Sequence, residues 1–260
     1  MPLGRAVPDF TAIARSSLQE ALADDFLSSD LPILSNASPL QAFIGHLYNA
    51  STLRHSARLA GVNRPEAKDV LRRVSSAGTE HQIRSFARLT LGGLCHRAAW
   101  AFSAKQRHEP PRRLDRFGQD SVWTHVCIDD ATRLIPLWFV GPNPPAALTV
   151  IATEIEARWP GTALRASAAV DVTTQERGRK AVGESLTLRT WLDSNPRGFV
   201  KKVNLHAQAL AFFVLHHNFC RRYVDGGGTP AMLHGLAERP WTAGDVAALA
   251  LERETARRSA

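Results

Sequence analysis

The chain has 260 residues, and 44% of them are hydrophobic, which is enough to build a folded core and excludes a wholly disordered protein. The length is compatible with one large domain or two small ones. Three cysteines are too few for a disulfide scaffold and indicate a reducing compartment. No apolar run approaches the ~18–20 residues of a membrane span, and the first residues lack the apolar stretch of a secretory signal. We therefore expect a cytoplasmic protein without a membrane partner.

The positive charge of the chain is concentrated in one region. Lys and Arg number 32 against 24 Asp and Glu, which gives a formal net charge of +8. Residues 51–120 hold 14 of the basic and 6 of the acidic residues, so the remainder of the chain is neutral. A local surplus of this kind favours nucleic acid, because neighbouring phosphates must be met together. The alternative is a solvated, arginine-rich surface.

Residues 38–80 carry the pattern of three helices. After a variable segment at 1–37, with a short helix predicted at 9–26, Ser38 and Pro39 form a helix start. The residues that follow have the i, i+3, i+4, i+7 spacing of one apolar helix face, and they are Leu40, Phe43, Ile44 and Leu47. A second helix opens at Ser51 and ends at Gly61, and a third begins at Asn63.

A short glycine-containing turn between the second and third helices predicts a helix-turn-helix unit. In such a unit the start of the last helix enters the major groove of double-stranded DNA. Arginine and asparagine pair with guanine and adenine edges, and basic side chains meet phosphates. The predicted DNA-binding residues are Asn63, Arg64, Lys68, Arg72 and Arg73. The alternative is an ordinary helical hairpin with charged exposed faces.

The clearest strand signal lies in the middle of the chain. Val122, Thr124, Val126 and Ile128 stand at every second position, residues 129–132 form a polar turn, and a second apolar run covers 134–140. This pattern predicts a β-hairpin. Helices are predicted after it at 146–159, at 203–222 and from Thr242, which caps the last one.

Four blocks of sequence resemble one family in the same order. The segment VWTHVCIDDATRLIPLWFVG is similar to the second and third strands of bacterial insertion-sequence transposases, which have an RNase-H-like core of the DDE type. Residues 51–78, 197–221 and 229–249 resemble other parts of that family. The resemblance implies an α/β fold: an all-α helix-turn-helix unit at 38–80, an incomplete RNase-H-like mixed-sheet domain at 81–222 and a helical tail at 223–260.

The resemblance also implies an activity. These transposases bind the ends of their element in double-stranded DNA and catalyse strand cleavage and transfer. Three carboxylates hold two Mg²⁺ ions, because hard divalent ions require oxygen ligands and two-metal phosphoryl transfer requires both ions. The implied partner is therefore element-end DNA, and a homo-oligomer is left open.

The sequence departs from the family in these carboxylates. The first acid is expected on a strand ahead of the hairpin, but His96 or Arg97 stands there. Asp171 and Glu184 are the candidates for the other two, with Glu176 as an alternative for the glutamate. We therefore expect impaired catalysis, Mg²⁺ only in an active enzyme, and no assigned metal ligand. The alternative function is a non-catalytic DNA-binding remnant or regulator.

Other arrangements are weaker. Asp129 and Asp130 fall in the hairpin turn, where aspartate is common for its turn chemistry, and a role as metal ligands is the alternative for them. His216, His217 and Cys220 lack the further ligands of a zinc site. An unrelated basic enzyme has no supporting motif.

Overall fold

The computed structural model of the protein is a mixed helix and sheet fold. It describes residues 37–49, 53–103, 121–141, 144–166, 203–222 and 227–259. Within these ranges lie seven α-helices and one four-stranded sheet. The α/β class is therefore confirmed, whereas the helix predicted at 9–26 falls outside the described residues. The helices are α1 (Ala37–Tyr48), α2 (Leu53–Leu59), α3 (Arg64–Phe86), α4 (Pro144–Arg158), α5 (Val203–Leu215), α6 (Pro230–Leu233) and α7 (Ala243–Ser259), and the strands are β1 (Gly93–Ser103), β2 (Ser121–Asp129), β3 (Leu137–Gly141) and β4 (Ala163–Ala166).

The three helices predicted at 38–80 are present, and local interactions explain the turn between α2 and α3. The Val62 N–H donates to the carbonyl of Ala57 at 2.8 Å, and the Gly61 N–H donates to that of Arg58 at 3.3 Å. These two bonds terminate α2 in a Schellman motif, which requires the positive φ of 70° at Gly61. Asn63 then caps α3. The chain thus reverses between two helices in four residues.

α3 is longer than the predicted unit. It continues through residue 80, where a domain boundary was expected, and ends at Phe86. α3 lies close to α5 at Gly78, because a Cβ at this position would lie 2.6 Å from Leu215 Cδ2. A glycine inside a helix costs about 1 kcal/mol relative to alanine. Here the missing side chain leaves room for Leu215, so α3 packs closely against α5.

The sheet has the strand order β3-β2-β1-β4. β2 and β3 form the predicted hairpin, with Cys127 opposite Leu137 and Trp123 opposite Gly141. β1 runs antiparallel to β2 and parallel to β4. The mixed sheet therefore has β1, the strand that precedes the hairpin, in an interior position.

The two faces of the sheet are covered by different helices. One face carries Cys127, Leu137 and Phe139 in a buried cluster that includes Ala147, Ile151 and Ile155 of α4. The other carries Val126, Trp138 and Val140, which pack with Leu210 and Val214 of α5. The alternation of adjacent residues between the two clusters is the period-2 pattern of strands buried on both faces.

α5 is buried on both of its sides, because its opposite stripe faces the other helices. Phe212 and Leu215 belong to the cluster that contains the apolar residues of α1, α2 and α3. A helix that is apolar all round is expected in such an interior position. None of the described helices, α5 included, is long and apolar enough to cross a membrane.

The end of α5 joins three parts of the fold through one asparagine. The turn that continues directly from α5, His216–Cys220, is a π-helix. There the fully buried Asn218 accepts a hydrogen bond from the Ile135 N–H at 2.9 Å and donates to the carbonyl of Ile135 at 2.9 Å. Asn218 also donates to Gln82 Oε1 of α3 at 2.8 Å. Ile135 lies between β2 and β3, so this side chain replaces the strand partner that its backbone lacks.

We expect Asn218→Ala to lower the free energy of unfolding by about 2–5 kcal/mol, because it leaves two buried backbone groups of Ile135 without partners. Chemical denaturation followed by circular dichroism measures the change. Asn49→Ala is the matched control, since Asn49 is exposed at the end of α1 and should change stability by no more than about 0.5 kcal/mol. Equal stability of the two variants would contradict the role of Asn218.

Candidate functional site

A basic surface lies where α2 meets the start of α3. Arg54, His55 and Arg58 are exposed on α2, and Lys68 is exposed on the second turn of α3. Arg54 and Arg58 are four residues apart, so they share one exposed face of α2. Exposed cations are thus present on both helices that flank the turn at Gly61.

The predicted DNA-binding residues have different environments within this region. Asn63 is exposed, but its side chain accepts a hydrogen bond from the Glu66 N–H at 3.0 Å and so caps α3. Arg64 is the first residue of α3. The Arg72 side chain is 17% exposed and lies 3.8 Å from a carboxylate oxygen of Asp69. Of the set, Lys68 is the residue whose exposure fits a direct contact with phosphate most simply.

Arg73 is buried where α3 packs against α7. Its side chain is only 3% exposed, and its Nη1 lies 2.5 Å from Glu254 Oε1 of α7. It faces the interface between α3 and α7, 140° around α3 from Lys68 at about 100° per residue. Arg73 is therefore not exposed for a phosphate contact in this structure, and its predicted role in DNA binding stays a prediction.

The Arg73–Glu254 pair is a structural element of the helical layer. Burial alone would raise the pKa of Glu254, but hydrogen bonds from Arg257 and Arg73 outweigh it and hold the pKa below the ordinary value. Arg257 Nη2 lies 2.8 Å from the same carboxylate oxygen. Glu254 is therefore ionised at neutral pH and ties α7 to α3.

A second candidate site is the place on β1 where the family resemblance predicts an acid. His96 stands there, 2% exposed, and a hydrogen bond of 3.1 Å joins its Nε2 to Nδ1 of His125 on β2. The His125 ring in turn stacks on Phe139 of β3, with centroids 4.5 Å apart. Arg97, the neighbouring alternative, is half-buried on the strand. β1 thus brings imidazole and guanidinium groups to this position, and no carboxylate.

Both aspartates of the hairpin turn have partners: Asp129 bonds within the turn, and Asp130 pairs with a residue of β4. Asp129 is 2% exposed, and its Oδ2 accepts bonds from the Thr132 N–H at 2.9 Å and the Thr132 hydroxyl at 2.7 Å. Because that hydroxyl proton is engaged, His234 Nε2 donates to Thr132 Oγ1 at 2.8 Å. Asp130 forms an ion pair with Arg165 of β4. These contacts agree with the turn role expected for both aspartates.

The described residues do not fit the two Mg²⁺ ions that the resemblance implies. Mg²⁺ requires several oxygen ligands in a near-octahedral arrangement. Among the residues described, no group of three or more His, Cys, Asp or Glu side chains could hold a metal ion. Asp171, Glu176 and Glu184 lie outside the described residues, so their predicted catalytic roles stay predictions.

Arg54 and Arg58 were not singled out from the sequence. The sequence does predict that these two arginines share one face of a helix, because they are four residues apart. The helix-turn-helix pattern predicts base contacts for the last helix and does not by itself identify contacts from α2.

Comparison of the chain with protein-family models, with curated proteins and with solved structures gave no match. The likeness to insertion-sequence transposases therefore rests on the four sequence blocks described above.

Several histidines are buried in a neutral state. Burial lowers the pKa of His96, His206 and His217 from 6.5 to about 4, and for His217 the burial effect outweighs its hydrogen bond to the Arg133 carbonyl. His206 Nε2 lies 2.7 Å from the Thr124 hydroxyl, which links α5 to β2. The folded state therefore binds fewer protons than the unfolded chain between these two pH values.

We expect the stability of the fold to be highest above about pH 6.5, where these histidines are neutral in both states. The free energy of unfolding should fall as the pH approaches 4. A pKa lowered by this much corresponds to a loss on the order of 3 kcal/mol for each of His206 and His217. Denaturation midpoints measured from pH 7.5 to 4 test this. His206→Gln should flatten the profile, whereas replacement of the exposed His55 should not. A flat wild-type profile over this range would contradict the buried neutral state.

Proposed function

We propose that this protein binds double-stranded DNA through α2 and the start of α3 and that it does not cleave DNA. It would be a transposase-like chain that retains a DNA-binding surface and lacks the carboxylate that the resemblance implies on β1. The observation that carries this proposal is the exposed basic surface formed by Arg54, Arg58 and Lys68 around the turn at Gly61.

The shape and the charge of this surface support DNA as the partner. Two helices joined by a short turn are the arrangement in which one helix can lie across the backbone while the next enters the major groove. α2 offers arginines four residues apart, and α3 starts at the same turn with Asn63, Arg64 and Lys68. This part of the fold belongs to the basic segment 51–120 and supplies six of its 14 basic residues.

The absence of cleavage is supported by the chemistry of β1. The resemblance implies that the first catalytic acid lies on the strand before the hairpin, and β1 pairs with the hairpin strand β2. The expected position carries His96, whose imidazole is held against His125 in the core. A buried pair of imidazoles does not replace a carboxylate that bridges two hard cations.

The cytoplasm is the compartment that fits this function. Cys95, Cys127 and Cys220 are free thiols, as expected in a reducing environment.

We expect Lys68→Ala and Arg58→Ala each to weaken binding to a labelled DNA duplex and to reduce the salt slope of log K by about 1, since each removes one phosphate contact.

If Arg64 reads a base, Arg64→Ala should cost about 1–3 kcal/mol and do so selectively for one sequence. Fluorescence anisotropy over a range of salt concentrations measures both.

Arg88→Ala is the matched control for charge, because Arg88 is exposed just beyond the other end of α3, about 30 Å along the helix axis. Its affinity should equal that of the wild type. Uniform weakening in all four variants would indicate nonspecific attraction by net charge, and unchanged affinity in all of them would remove the proposed surface.

Incubation with duplex and supercoiled DNA in the presence of Mg²⁺ or Mn²⁺ should yield no nicked or joined products. The physical reason is the lack of a carboxylate on β1. Asp171→Ala and Glu184→Ala are the controls. Cleavage by the wild type that both substitutions abolish would overturn the proposal and identify these two acids as catalytic.

A further inference from the structure

Asp69 places a carboxylate among the basic side chains on the outer face of α3. At about 100° per residue, the accessible part of the first turns is an arc of about 100° that holds the exposed Pro65 and Lys68 and the partly exposed Asp69 and Arg72. The opposite side of the same turns is the buried apolar stripe of Ala67, Val70, Leu71 and Val74. The carboxylate therefore lies on the side of α3 that faces away from the core of the helical unit.

The nearby arginine leaves this carboxylate accessible. Asp69 Oδ1 lies 3.8 Å from Arg72 Nη2, which is too long for a hydrogen bond. The side chain of Asp69 is 32% exposed, against 17% for that of Arg72. Asp69 is thus the member of the pair that a ligand at this face reaches more easily.

A carboxylate on a DNA-binding face has one class of favourable partner. It repels phosphates, so it weakens binding to the backbone. In the major groove, the hydrogen-bond donors of the base edges are the amino groups of cytosine N4 and adenine N6. The adenine amino group lies between two acceptors, N7 of the same base and O4 of thymine, whereas the cytosine amino group has an acceptor on one side only, O6 of guanine. Cytosine is therefore the base whose donor a carboxylate approaches with the least repulsion.

We propose that Asp69 is a specificity-determining residue that accepts a hydrogen bond from the N4 amino group of a cytosine in the major groove. This inference rests on the proposed DNA binding and names the base that the start of α3 prefers at one position. Lys68 and the arginines of α2 attract any duplex, because phosphates are common to all sequences. Asp69 opposes that attraction except where cytosine meets it, so it discriminates against other sequences as well as for its own.

The test begins with the wild-type chain and a pool of DNA duplexes with randomised positions. Duplexes that the chain retains define its preferred site, and fluorescence anisotropy then measures the affinity for that site and for each single-pair substitution. We expect one position where cytosine is preferred and where the other base pairs weaken binding about 5- to 100-fold, the usual cost of one mismatched pair.

Two substitutions of Asp69 distinguish a base contact from a structural role. In Asp69→Asn the amide offers a donor beside an acceptor, which matches N6 and N7 of adenine, so the preference at this position should change from cytosine to adenine. Asp69→Ala should lose the preference at this position and bind random-sequence DNA at least as tightly as wild type, because a negative charge is removed. Preferences at all other positions should be unchanged in both variants.

Glu238→Gln is the matched control, because it removes one negative charge from an exposed residue between α6 and α7 and should leave every base preference as it is. Circular dichroism shows whether each variant is folded, and the isosteric Asp69→Asn carries the test if Asp69→Ala is not. Wild-type base preferences in the Asp69 variants, or equal binding of all sequences by the wild-type chain, would overturn this inference and leave the proposed function intact. Absence of DNA binding by the wild-type chain would overturn both.

Discussion

The hydrogen bonds of Asn218 are the constraint on which the arrangement of the layers depends. The hairpin leaves the backbone of Ile135 without a strand partner, and Asn218 satisfies both of its polar groups while it also bonds Gln82 of α3. Such bonds are directional, whereas the apolar contacts of α5 with its neighbours are not. The π-turn that presents Asn218 therefore sets the position of α5 between the sheet and the helical layer.

This constraint connects the basic surface to the sheet. α3 extends without a break from the turn at Gly61 to Phe86, and Trp159 at the end of α4 donates to the Phe86 carbonyl at 2.9 Å. The close approach at Gly78 and the buried Arg73–Glu254 pair hold the same helix on its other sides. A ligand bound at the start of α3 would thus occupy a fixed position relative to β1.

Binding and cleavage place different chemical demands on such a scaffold. Binding to a polyanion requires exposed cations with little precision in their positions, which the surfaces of α2 and α3 offer. Cleavage assisted by two metal ions requires several acidic oxygens at one point. On β1, His96 is buried with a lowered pKa and bonds to the buried His125 of β2, so this position contributes to the packing of the sheet and offers no acidic oxygen.

The sequence by itself determined the local structure of this protein. The spacing of Leu40, Phe43, Ile44 and Leu47 predicts α1, because burial repeats with the period of a helix, and the hairpin pattern of residues 122–140 predicts β2 and β3. Tertiary structure alone decided that Arg73 is a core residue, that α3 continues past residue 80, and that the end of α7 lies beside α3. These outcomes depend on contacts across more than 170 positions, such as Arg73 with Glu254, which no local period encodes.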